Sequence, residues 1–206
     1  MLFRSKAEEF RCTEEIITVV ALLSVDSLTY TPHEKRDLAN AVRKKFLSTE
    51  GDQITSLNMY RAYKAVSGNT SWCYEHFINT RVMKQVQDVR KQLRDLCVRL
   101  EIPLMSCGNE TSVIRNCLAT GLFMNSAELQ LDGTYRTVTH GQTVAIHPAS
   151  ALFRSKPSYV LYNELVYTSK CYMRDICVVD PEWLLSAAPR FFKTHKLKPQ
   201  MKAVST

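Results

Sequence analysis

The stretch YVLYNELVYTSKCYMRDICVV, residues 159–179, decides the fold. In its first half Val160, Tyr162, Glu164 and Val166 alternate with Tyr159, Leu161, Asn163, Leu165 and Tyr167. A repeat of two sends the two sets to opposite faces, so one strand is expected from Tyr159 to Thr168. Tyr172 to Val179 reads as another strand. An earlier stretch, Arg81 to Leu100, keeps a different period. Val82, Val86, Val89, Leu93, Leu96 and Leu100 follow alternating steps of four and three, the stripe of an amphipathic helix. Helical period first and strand period after predict an α+β chain.

Working outward toward the C-terminus, Pro181 opens a helix over Glu182 to Ala188, which Pro189 ends. From Lys193 onward Lys196, Lys198 and Lys202 stand among few apolar residues, so 193–206 reads as a flexible basic tail. Toward the N-terminus, Pro157 stops a loop and Val144 to Ile146 is a short strand. His140-Gly141 marks a turn, and Asp132-Gly133 joins Ala127–Leu131 to Thr134–Thr139 as a hairpin. Five or so short strands with a closing helix suit a small β-barrel.

Upstream of it the chain reads helical. Ser112 to Leu122 is a short helix. Thr13 is expected to cap a first helix whose acids, Glu14 and Glu15, complement the helix dipole. That helix is apolar almost all round and should be buried. Pro32 opens a second, with Leu38, Val42 and Phe46 as its apolar stripe. Asp52 caps a third carrying Leu57, Tyr60 and Tyr63, ended by Ser67-Gly68-Asn69, and Trp72 to Phe77 starts another. The expected domains are a helical bundle at 1–102, a strand domain at 103–192 and the tail. The pentapeptide LFRSK occurs at 2–6 and at 152–156 in unlike contexts and is no repeat.

With 206 residues there is room for one domain or two small ones. Hydrophobic residues at 45% and charged ones at 23% exclude disordered and collagen-like classes. No apolar run approaches a membrane span, and Met1 to Lys6 is no signal peptide. Seven cysteines without a secretory signal read as reduced thiols. The chain has no P-loop, HExxH or GxSxG, and no Cys or His pairs at zinc spacing. His147 before Pro148 reads as a satisfied loop or strand histidine rather than half of a Cys-His site. No catalytic residues and no metal ligands are assigned. Lys and Arg total 27 against 20 Asp and Glu, a net charge of +7. That fits a polyanionic partner, and equally a protein that is simply basic. The basic residues flanking the stripe of Arg81 to Leu100, among them Lys91 and Arg94, have the same two readings: a face toward a phosphate backbone, or a solvated surface.

A family resemblance runs through Ile146-His147-Pro148-Ala149-Ser150, Lys156-Pro157, Tyr162-Asn163-Glu164-Leu165, Thr168-Ser169-Lys170-Cys171-Tyr172-Met173-Arg174-Asp175, Trp183-Leu184 and Ala188-Pro189-Arg190-Phe191-Phe192. These blocks resemble the oligonucleotide-binding-fold (OB-fold) domain at the C-terminus of DEAH-box RNA helicases. Cys12-Thr13-Glu14-Glu15-Ile16, Ala21-Leu22-Leu23-Ser24-Val25, Trp72-Cys73, Phe77-Ile78-Asn79 and Val89-Arg90-Lys91-Gln92-Leu93 resemble the helical ratchet-like domain of the same family. The likeness covers roughly residues 7–192. Tyr159 stands where many members have Trp, and Cys171 where many have Glu. Cys171 and Cys177 together resemble a nucleolar branch.

The resemblance implies an accessory region that guides single-stranded RNA, or structured RNA, leaving the helicase motor. The motor, with its ATP-binding loop and DEAH box, does not occur in this sequence, so the chain is expected to be a piece of a longer product or a lone module. ATP and magnesium would belong to the motor domains, which are the first expected partners. No ATPase is expected from this chain alone. RNA binding needs cations for phosphates and rings for bases. The expected contacts are Lys156, Tyr159, Tyr162, Lys170, Tyr172, Arg174, Lys91 and Arg94. Each tyrosine is either a base platform or core with only its hydroxyl wet. Arg174 faces outward if Met173 faces the core. The alternative function is a docking module for a glycine-rich activator protein, taken by strand addition. No membrane partner is expected. The implied location is nuclear, nucleolar included, with the cytoplasm as second choice.

Overall fold

The computed structural model describes residues 9–192; the expected basic tail lies outside them. Helices come first: α1 (Thr13–Leu23), a 3-10 turn (His33–Lys35), α2 (Arg36–Arg43), a second 3-10 turn (Lys44–Phe46), α3 (Asp52–Ala65), α4 (Thr70–Glu75), α5 (Thr80–Arg99) and α6 (Thr111–Leu122). Seven strands follow: β1 (Ser126–Leu129), β2 (Tyr135–Thr137), β3 (Thr143–Ile146), β4 (Tyr159–Leu161), β5 (Glu164–Tyr167), β6 (Cys171–Arg174) and β7 (Cys177–Val178). Two short helices end the described chain, α7 (Pro181–Ala187) and α8 (Pro189–Phe192). This is the expected α+β class. The chain divides into two compact units. One holds the chain up to Ser48 and Asp52–Ile114; the other holds Thr49–Gly51 and the chain from Arg115 onward.

In the helical unit, Ala21, Leu22, Tyr60, Tyr63, Cys73, Ile78, Met83 and Val86 form the core. Asn69 and Asn79 accept backbone N–H bonds at the starts of α4 and α5, satisfying donors that lack helical partners. Thr13 does not cap α1. Its hydroxyl donates instead to the Pro103 carbonyl at 2.7 Å, and Cys12 occupies the cap position without a side-chain capping bond. Leu38 is also not on the buried stripe of α2: it is 54% exposed, and Ala39 is buried instead. The stripe of α5 holds at Val82 and Val86 but passes to Cys97 at its end, leaving Leu96 and Leu100 in solvent. Cys97 packs there with Ile17 and Ile102.

In the other unit the sheet order is β5-β6-β3-β2-β1-β4-β7, antiparallel except for β3 beside β6. Gly133 takes positive φ in the β1–β2 turn, as the Asp132-Gly133 signal predicts. Ala127, Tyr135, Val144, Ile146, Leu152, Val160, Tyr162, Met173 and Ile176 make the core. Two expected strands each prove to be a pair. Residues 159–168 break at Tyr162-Asn163 into β4 and β5, and all three residues of β4 are buried. Residues 172–179 break where Asp175 adopts φ 50°, between β6 and β7.

Backbone pairing does not close the sheet into a barrel. Its ends are β5 and β7. The edge of β7 opposite β4 is occupied by the segment before α3: Val178 N–H donates to the Glu50 carbonyl at 2.9 Å, and Gly51 bridges Cys177. Only glycine fits there. Its φ is +128°, and a Cβ would lie 2.3 Å from the Ile176 carbonyl oxygen. The Glu50 carboxylate accepts from Arg115 Nη2 at 2.7 Å, and Arg115 Nη1 donates to the Val178 carbonyl at 3.0 Å. Proline-led α7 is capped by Asp180, whose carboxylate accepts from Glu182 N–H at 3.0 Å. Pro189 does not simply end that helix; it begins α8.

Candidate nucleic-acid interface

The sheet positions one set of expected residues through strand alternation. Met173 is fully buried on β6, so Tyr172 and Arg174 point to the opposite face. Lys170 precedes the strand by one residue and is exposed beside the β5–β6 turn, where Thr168 N–H donates to its carbonyl at 3.0 Å. Lys170, Tyr172 and Arg174 thus stand at alternate positions, cation, ring, cation, over about 13 Å of strand. The register places Val166 and Ala145 on either side of Tyr172, and Glu164 opposite Arg174. The Tyr172 ring meets the His147 ring edge-on, with centroids 5.5 Å apart. Arg174 Nη1 lies 3.6 Å from Glu164 Oε1, and both side chains are largely in water. Such a pair is weak and gives way readily to a phosphate.

The other expected residues lie elsewhere. Lys156 is exposed, with φ 43°, and its Nζ is 3.5 Å from the Gly133 carbonyl in the β1–β2 turn. Tyr159 and Tyr162 are buried, so their faces are packed in the protein rather than offered to a base. The Tyr159 hydroxyl donates to Glu128 Oε1 at 2.8 Å. Tyr162 belongs to the sheet core, and burial pushes its phenol above the ordinary value. Lys91 and Arg94 are exposed on α5, in the helical unit. Arg94 Nε lies 3.5 Å from Glu14 Oε1.

One exposed ring is absent from the residues expected on sequence grounds. Tyr167, at the end of β5, is 67% exposed. Gln142 Nε2 donates to its hydroxyl at 2.9 Å, fixing the ring. Its signal is the strand-ending place before Thr168-Ser169, where a side chain has neighbours on one side only. What the arrangement offers chemically is fixed charge and ring surface. Among the described residues no group of three or more His, Cys, Asp or Glu is placed to hold a metal ion, and no helix is long and apolar enough to cross a membrane. No disulfide joins the seven cysteines.

Comparison with known proteins agrees with this geometry. Residues 114–191 match the family model of an oligonucleotide/oligosaccharide-binding (OB) fold, and residues 1–56 match the ratchet-like helicase-associated domain. The ATP-dependent RNA helicase DHX33 of Mus musculus is 54% identical over 187 residues, 91% of this chain and 27% of the relative. Its Homo sapiens counterpart is 52% identical over 185 residues, 90% of this chain and 26% of the relative. The pre-mRNA-splicing factor ATP-dependent RNA helicase DEAH10 of Arabidopsis thaliana is 41% identical over 202 residues, 91% of this chain and 28% of that protein. The chain spans about a quarter of the length of these relatives. Helicase-associated helices followed by an OB-type sheet, at these identities, mean that the chain belongs to the DEAH-box RNA helicases as their C-terminal region.

Proposed function

We propose that this region binds single-stranded RNA on its β6 face and guides the strand as it leaves the helicase motor. The observation that carries this reading is the outward alternation of Lys170, Tyr172 and Arg174. Cations neutralise phosphates without reading sequence, and an exposed ring accepts any base. Tyr172 is half-buried, and Tyr167 adds an exposed ring on the neighbouring strand. Lys156 and Lys91 contribute charge around their own elements. In this reading the chain performs no hydrolysis: ATP and magnesium are held by the motor domains, which are its partners in the whole helicase, and its place is the nucleus, the nucleolus included.

The test is binding of a fluorescent single-stranded RNA to this chain across a salt series. Micromolar affinity that falls with salt, and falls about tenfold in Lys170→Ala/Arg174→Ala, supports the reading. No binding at low salt overturns it. The outer edge of β5, which pairs with no further strand among the described residues, favours a second reading, in which an extended glycine-rich segment of an activator protein adds as a strand. Binding of that kind holds through backbone bonds and apolar packing and keeps its strength as salt rises.

A further inference from the structure

In the helical unit an exposed lysine meets a buried histidine, and neither takes part in the sheet face described above. Lys45 stands in the second 3-10 turn, and its side chain reaches His76, the residue after α4. Lys45 Nζ lies 2.6 Å from His76 Nε2, and His76 Nδ1 lies 2.7 Å from the Trp72 carbonyl oxygen. A carbonyl only accepts, so Nδ1 carries the ring proton and donates it. An ammonium only donates, so Nε2 presents its lone pair to Lys45. The two contacts assign one tautomer, a neutral imidazole with its basic nitrogen on the lysine.

The ring is held in that orientation. His76 is buried, stacked on Trp72 with centroids 4.3 Å apart and tilted against Phe46 at 5.6 Å. Lys45 is exposed, and its Nζ lies 5.1 Å from the centre of the Phe46 ring. Among the described residues no carboxylate pairs with it. A surface lysine usually ends in water or on an acid. This one ends on a base that a third group orients, the order of nucleophile, base and orienting acceptor that prepares a side chain for covalent chemistry.

We propose that Lys45 is an acylation site, with His76 as its built-in base and an acyl thioester as the acyl donor. The ammonium first gives one proton to water. Nζ then attacks the thioester carbonyl carbon, and a C–N bond forms. The next proton on Nζ passes to His76 Nε2, the C–S bond breaks, and Nε2 returns that proton to the departing thiolate. Ammonium and thioester become amide, thiol and one proton in water, and nothing is oxidised or reduced. A thioester suits the site because a thiolate leaves readily, and the site holds a base and no acid beyond the proton that base has just taken. The product keeps one N–H for Nε2 and loses the positive charge. The modification thus lowers the charge of the helical unit by one while the contact with His76 stays in place. Nothing in this site depends on RNA binding.

The test incubates the whole chain with acetyl-coenzyme A and follows each lysine by quantitative mass spectrometry. Lys44, Lys84 and Lys91 are exposed and have no histidine partner among the described residues, so they serve as controls in the same tube. Lys45 should be acetylated about tenfold faster than any of the three, a modest share of what a positioned base supplies in an enzyme. In His76→Gln, whose amide meets the lysine without being basic, Lys45 should fall to the control rate while the controls keep theirs. His76→Asn, which keeps a donor for the Trp72 carbonyl, should do the same. Thermal melts run alongside, and a variant that has lost its fold is replaced by the other. If both have lost it, the native chain is compared with the same chain in urea, and a Lys45 excess that urea abolishes supports the site. Equal rates at all four lysines of the native chain overturn the proposal. A Lys45 excess that survives in a folded His76 variant overturns His76 as the base, and the proposal with it.

Discussion

The helical unit and the sheet unit present their cations in different ways. On β6, Arg174 and Tyr172 point outward because Met173 between them is buried, and Glu164 opposite Arg174 adds only an exposed, weak pair. On α5, Arg90 and Arg94 are aimed by Glu14, far away in sequence on α1. A strand displays charge as a by-product of core packing, so the exposed Glu164–Arg174 pair can open without changing the direction of the cation. A helix groove displays charge through ion pairs, which orient the arginines and at the same time occupy them. The difference teaches that a count of basic residues overstates the charge offered to a ligand where helices meet, and states it fairly on an exposed strand.

The comparison can be broken at the sheet first. Gly51→Ala forces a side chain against the Ile176 carbonyl and Cys177 Cα at a backbone angle that disfavours it. Loss of about 3 kcal/mol or more is expected in urea unfolding. A loss below about 1 kcal/mol would mean that the Glu50-Gly51 segment is no part of the sheet edge. Next come neighbours on opposite faces of β6. Met173→Ala should cost about 3 kcal/mol through the cavity it leaves, whereas Arg174→Ala should stay within about 0.5 kcal/mol while weakening RNA binding. Similar losses for both would erase the claim that packing alone aims Arg174.

The smallest effect sharpens the helical side. Burial, and then Glu15 beside it, push the Cys107 thiol up to about 11 from the ordinary 9.0. The folded chain therefore keeps a proton that the unfolded chain loses between these values. Its contribution to stability is fully present below pH 9 and is lost as pH rises toward 11. Tyr60 and Tyr63, raised chiefly by burial, act in the same direction at higher pH. Cys107→Ser should flatten the fall between pH 9 and 11 in chemical-denaturation curves. An unchanged slope would separate Cys107 from Glu15.

Much of the layout was legible because its causes are local. The hairpin at Asp132-Gly133 needs only a glycine at positive φ. The long helix α5 follows from a stripe of apolar residues, and α7 from proline behind a capping aspartate. The candidate site was legible in part for the same reason: alternation about Met173 aims Tyr172 and Arg174. Other readings failed where neighbours distant in sequence decide. Thr13 looks like a cap, whose oxygen would accept from a helix N–H, but its hydroxyl donates to the Pro103 carbonyl, 90 positions away. Leu38 and Ala39 differ by one step around α2, and only the packing of the unit selects Ala39 for burial. Residues 159–168 alternate as one strand should, yet β4 is wholly buried and β5 pairs with β6 after the break at Tyr162-Asn163.

Periods, turns and caps depend on interactions within a few residues, so order in the chain is enough to specify them. That covers the α+β class, the succession of helices and strands, and the sharing of one strand face by Tyr172 and Arg174; that this face points outward follows only from the burial of Met173. Which tyrosines end in the core, which arginine meets an acid, and what covers the edge of β7 depend on residues brought together from far along the chain. Arg90 and Glu14 are 76 positions apart, and Arg115 and Glu50 are 65. Each pairing is settled only when its own unit has packed, because burial and neighbours, rather than residue type, set what a charge or a ring is free to do.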